Sequence, residues 1–159
     1  MKRWLECAPL VSLFVALVFI SGCSSKVLPT SDVSGETDKG KQIVEVSEQM
    51  LGAPYRYGGD TPRGFDCSGL VRYAYQRVGI DVPHSSRMLF KQSKKVPLNN
   101  LQPGDLLFFK INKRTISHVG IYTDGLSFIH APSSGKKVKV SRLDSSYWST
   151  RLAAAGRFR

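Results

Sequence analysis

A single cysteine at a helix start and two histidines on alternating strands are the groups in this sequence best placed for covalent chemistry. Cys67 lies in Phe65-Asp66-Cys67-Ser68-Gly69, after a glycine-rich loop (Gly58, Gly59, Gly64) and before the apolar run Leu70, Val71, Tyr73, Ala74, Val78. Leu70, Ala74 and Val78 recur at four-residue spacing, which predicts a helix over about residues 67–78 stopped by Gly79. Cys67 then sits in the first turn, where unpaired backbone N–H groups and the helix dipole are expected to lower the thiol pKa. Asp66 falls at the N-cap, and its carboxylate either caps the helix or holds a cationic substrate group beside the nucleophile.

A thiol nucleophile needs a proton acceptor, and the sequence offers His84, His118 and His130. Ser117–Thr123 alternates, with Val119 and Ile121 on one face and His118, Gly120 and Tyr122 on the other; beyond Asp124 and Gly125, Phe128 and His130 share a face opposite Ile129. Register decides whether the histidines meet. A two-residue turn would send them to different faces and split the three aliphatics. A three-residue loop, Asp124–Leu126, pairs 121 with 129 and brings both sets together. In that register His118 takes the thiol proton and later protonates the leaving amine, while a neutral His130 orients it. An ordinary His130 would then cost activity as pH falls through about 6 to 6.5. His84 reads as a groove or surface residue.

Elements around these residues follow from pattern. Helices are expected at about 39–51, 67–78 and 86–92, then antiparallel strands at about 105–110, 116–123, 127–131, 136–141 and 152–158, an α+β fold. Upstream, Lys2 and Arg3 precede an apolar run from Ala8 to Ile20 that is too short to span a membrane and reads as an export signal over residues 1–22. Residues 24–40 are rich in Ser, Thr, Asp and Gly and read as a flexible tether to a domain over 41–159. With Cys7 in the signal, Cys67 and Cys23 remain, too few for a disulfide framework.

The 159 residues carry a net charge of +11 and are 42% apolar, which fits one globular domain with anionic envelope partners. No basic cluster is interleaved with aromatics as in a nucleic-acid module, so no nucleic-acid partner is expected. Lys94–Lys95 and Lys136, Lys137 and Lys139 read as solvated faces. No phosphate loop, dinucleotide fingerprint or closed metal-ligand set is present, so no cofactor or metal is expected, and the domain is expected to act as a monomer.

Ile20-Ser21-Gly22-Cys23 resembles the lipobox of bacterial lipoproteins, which implies lipidation of Cys23. Ser24 after it implies the outer membrane, facing the periplasm, in a cell that has one. Over residues 40–159 the chain resembles the NlpC-type cell-wall peptidases, a compact papain-like family. The resemblance rests on Pro54-Tyr55-Arg56-Tyr57-Gly58-Gly59, Asp66-Cys67-Ser68-Gly69, Leu101–Phe109, His118–Tyr122, Phe128–Ala131 and Tyr147-Trp148, in that order. It implies Cys67 as nucleophile, His118 as base, His130 as orienting residue and Tyr55 as oxyanion donor, with Asp66, Ser85 and Ser86 lining the substrate groove. The implied substrates are peptidoglycan stem peptides, cut at γ-D-glutamyl–meso-diaminopimelate or D-alanyl–meso-diaminopimelate bonds. Two positions depart from the family pattern: His84 stands where Arg is common, and Phe90 near an expected Gln. An amidase or acyltransferase on the same scaffold, or a catalytically silent wall-binding lipoprotein, are the alternative functions.

Overall fold

The computed structural model describes residues 31–158 apart from residue 113. The signal sequence, Cys23 and the first part of the expected tether lie outside the described residues.

Helix α1 spans Ser31–Glu48, and its Ile43 and Val44 pack with Val71, Ala74 and Tyr75 of α2, Cys67–Arg77. The helix begins earlier than its expected start near residue 39 and ends at Glu48 rather than 51. The early turns carry polar residues with no apolar period to betray them. Between α1 and α2 the glycine-rich loop forms a minimal hairpin, β1 (Asp60–Thr61) and β2 (Gly64–Phe65). Helix α3, Ser86–Gln92, follows at the expected position.

The rest of the chain builds one six-stranded antiparallel sheet from β3 (Lys94–Val96), β4 (Leu106–Phe109), β5 (His118–Tyr122), β6 (Ser127–His130), β7 (Lys139–Arg142) and β8 (Leu152–Arg157). A short 3-10 turn, Leu98–Asn100, precedes β4, and a single helical turn α4, Ser146–Ser149, precedes β8. The spatial order is β3-β8-β4-β5-β6-β7, so the last strand inserts between β3 and β4. The fold is α+β, with α1, α2 and α3 on one face.

Hairpin β5–β6 decides the site. Ile121 pairs with Ile129 and Tyr122 with Phe128, while Thr123 and Ser127 close the loop through a 3.1 Å hydrogen bond from the Thr123 N–H to the Ser127 carbonyl. This is the three-residue loop that the hydrophobic pattern demands. Val119 and Ile121 lie in the helix-facing core with Leu106 and Phe108, and Phe109 and Phe128 pack on the opposite face. Each fully buried aliphatic or phenyl side chain there contributes ~1.5–3 kcal/mol of burial free energy.

Candidate active site

Asp66 sets the position of Cys67. Its backbone is extended and its side chain caps α2, with Oδ1 accepting from the Gly69 N–H at 2.7 Å and from Ser68 Oγ at 3.0 Å. The same oxygen is 3.1 Å from His84 Nε2, and Oδ2 accepts from the Gly58 N–H at 2.9 Å. One carboxylate thus ties together the helix start, the glycine loop and His84. Burial works against its charge, but the hydrogen bonds from Gly69, His84 and Ser68 outweigh that cost and hold its pKa below the ordinary value. The approach is close: a Cβ on Gly69 would lie 1.9 Å from the Gly59 carbonyl oxygen, so only glycine fits.

Cys67 is partly accessible and lines a cleft of about 400 Å³ with Tyr55, Asp66, His84, Ser85 and Ser86. All three groove residues implied by the resemblance are present, as is Tyr55. Ser85 stands at the N-cap of α3 without a side-chain cap bond, which leaves its hydroxyl to the cleft. Burial raises the Tyr55 pKa, with Cys67 and Asp66 adding to the effect, so the phenol keeps its proton and can donate. Tyr57, Ser68 and Ser117 also line the cleft; no local pattern marks them as site residues.

The thiol departs from expectation. Burial pushes Cys67 up to about 11, and the Asp66 carboxylate adds to the rise. N–H groups of Val119, Ser68 and Cys67 itself act in the opposite direction, as a helix start should, but they do not outweigh desolvation. The Val119 interaction places the sulfur against β5 immediately beyond His118.

His118 Nε2 lies 2.8 Å from His130 Nδ1, with both rings enclosed by Phe109, Phe128 and Trp148. Trp148 stacks on His118 at 5.5 Å and meets His130 edge-on at 4.9 Å. His130 Nε2 in turn lies 3.0 Å from Ser141 Oγ on β7. For His118 to accept a proton at Nδ1, its Nε2–H must donate to His130 Nδ1, and His130 Nε2–H must then donate to Ser141. Ser141 Oγ accepts in that arrangement, and nothing in its sequence context announces the contact. Burial lowers His118 to about 4. Burial also lowers His130 to about 2, aided by the charges of His118, Lys139 and Lys136. Burial thus favours the neutral form of both imidazoles and moves their protonation below the expected pH 6 to 6.5, because neither ring is solvated like a free histidine.

Cys67 at its helix start shares a cleft with Tyr55 and meets the histidine-bearing strand at Val119, and the NlpC/P60 family model matches residues 52–157. The chain belongs to the NlpC/P60 family. Among relatives, it is 41% identical over 119 residues to the gamma-DL-glutamyl hydrolase of Bacillus subtilis, covering 73% of this chain and 29% of that one. It is 40% identical over 114 residues to the murein DD-endopeptidase MepH of Escherichia coli, covering 69% and 42% respectively. The chain thus spans less than half of the length of these curated relatives. Among solved structures, an NlpC/P60 family protein from Bacillus cereus superposes with a TM-score of 0.70 at 30% identity, covering 74% of this chain and 39% of that one. The NlpC/p60 domain of the peptidoglycan hydrolase SagA gives 0.66 at 33% identity, covering 75% and 98%.

The two departures from the NlpC/P60 pattern separate structurally. His84 enters the cleft through its contact with Asp66. Phe90 instead packs edge-on against Phe108 at 5.4 Å with the helix-facing core, so its role here is packing.

Proposed function

We propose that this protein is a lipid-anchored cysteine endopeptidase that hydrolyses peptide bonds in peptidoglycan stem peptides or cross-links. The observation that carries the reading is the His118–His130–Ser141 chain on the sheet whose strand β5 meets the Cys67 sulfur at Val119, the residue after His118. On attack, the thiol proton passes to neutral His118 as the sulfur bonds to the scissile carbonyl. Opposite charges form together at a buried site, and their attraction offsets the burial cost of each. Tyr55 and first-turn N–H groups meet the oxyanion, a contribution of ~3 kcal/mol for one good donor. His118 returns the proton to the leaving amine, and water resolves the thioester.

The test incubates the purified protein and its Cys67→Ala variant with peptidoglycan and identifies released peptides by mass spectrometry. New D-glutamyl or D-alanyl carboxyl ends, absent with the variant, are expected and name the bond. Acyl transfer products point to the transferase alternative; binding to the wall with no Cys67-dependent product favours the silent binder. The anchor is tested separately: Cys23→Ser is expected to release the protein from the membrane fraction, and unchanged partition would count against lipidation.

A further inference from the structure

His118 and His130 face a second cavity, of about 370 Å³, whose lining includes Lys136, Lys139, Tyr147 and Trp148. Its chemistry is the reverse of the Cys67 cleft, where Asp66 and hydroxyl groups predominate. Sequence pattern reads both lysines as solvated surface, but their backbone is fixed to the site. Lys139 is the direct cross-strand partner of His130 on β7. The Lys136 carbonyl accepts from the Tyr55 N–H at 2.8 Å, and the Val138 N–H donates to the Ala53 carbonyl at 2.8 Å. The loop that carries Lys136 is thereby bound to the loop that carries the oxyanion tyrosine.

Both lysine charges reach His130 and oppose its protonation. Among the described residues no ion pair engages either lysine. That positive field falls on His130, the hydrogen-bond partner of the imidazolium that forms on His118 in the proposed attack. An anion bound in the cavity would cancel that field. The substrate portion that lies on this side is defined by the mechanism, because His118 protonates the leaving amine and so the amine-bearing residue must sit on the histidine side.

We propose that this cavity is the leaving-group subsite, and that Lys136 and Lys139 bind a free carboxylate on the amino acid that supplies the scissile amine. The assignment rests on the peptidase reading above. Tyr147 and Trp148 would flank the aliphatic part of that residue, while the lysines hold its carboxylate.

The experiment compares two synthetic peptides with a D-glutamyl or D-alanyl bond to diaminopimelate, one with its free carboxylates and one with them amidated, as substrates for the wild-type protein and a Lys136→Gln/Lys139→Gln variant. The wild type is expected to prefer the carboxylate peptide in kcat/KM by at least ~10-fold, as two charge-assisted contacts imply. The variant is expected to bring that ratio close to one, mainly through KM for the carboxylate peptide. Because the read-out is a ratio within one protein preparation, partial misfolding does not imitate it. Cleavage by the wild type with no carboxylate preference, or a preference that survives in the variant, overturns the assignment alone. Absence of Cys67-dependent cleavage of either peptide overturns the peptidase reading and this proposal with it.

Discussion

At Cys67 desolvation and Asp66 outweigh the N–H groups of the first helical turn and favour the protonated thiol. The acid side of the reaction is then governed by the base. In the proposed reaction His118 must be neutral to accept the thiol proton, and burial lowers its pKa to about 4. A lowered pKa keeps the base competent as pH falls, so kcat/KM is expected to stay level from about pH 8 to 5 and to drop as pH passes through about 4. His130, lower still, does not titrate in that range. Initial rates on a fluorogenic or mass-detected peptide across pH 3.5–8 check this; a half-maximal point at 6 to 6.5 would show a solvated base and contradict the burial of the pair.

Among the elements, those legible in sequence were the ones whose apolar pattern had a single solution. Val119, Ile121 and Ile129 all need the core, and that requirement fixed the loop length of β5–β6 and with it the meeting of His118 and His130. Helices α2 and α3 followed from four-residue spacing and a loop-to-helix entry. The β1–β2 hairpin, two residues per strand in a glycine-rich run, carries no period and was invisible. The links from Asp66 to His84 and from His130 to Ser141 join distant segments through single side chains, which no local pattern encodes. Where α2 meets the glycine loop the structure makes a sharp demand. A methyl at Gly69 would strike the Gly59 carbonyl at 1.9 Å and stand 2.9 Å from His84 Nε2. Gly69→Ala is therefore expected to cost ~1–3 kcal/mol of stability through backbone displacement. It should also lower kcat/KM in excess of any loss of folded protein, because the displaced helix start carries Cys67. Urea titration and active-site-normalised kinetics check it; a variant with wild-type stability and activity would refute the close packing.

For the molecule as a whole, the last strand completes the sheet that the earlier ones leave open. β8 lies between β3 and β4, pairing Arg157 with Lys94 on one side and Gly156 with Leu106 on the other. Arg157 also forms a bidentate pair with Asp105, Nε to Oδ1 at 2.6 Å and Nη2 to Oδ2 at 2.9 Å. The Asp105 side chain is only 1% exposed, and it also accepts from the Gln102 N–H at 2.8 Å. Next to it, Tyr75 of α2 donates to the Gly104 carbonyl at 2.6 Å, so the chain terminus, the entry to β4 and the nucleophile's helix share one polar node beneath the apolar core. A buried pair of this kind adds little over a well-packed apolar substitute, yet removing one partner strands the other charge. Arg157→Ala is expected to destabilise the fold by ~3–5 kcal/mol, a large part of the ~5–15 kcal/mol that holds a domain together. Denaturant unfolding should show a lower midpoint with an unchanged slope. A midpoint shift worth less than ~1 kcal/mol would mean that solvent or a neighbouring donor satisfies Asp105 without Arg157, and that β8 is held by its backbone ladder and the packing of Leu152 and Ala155.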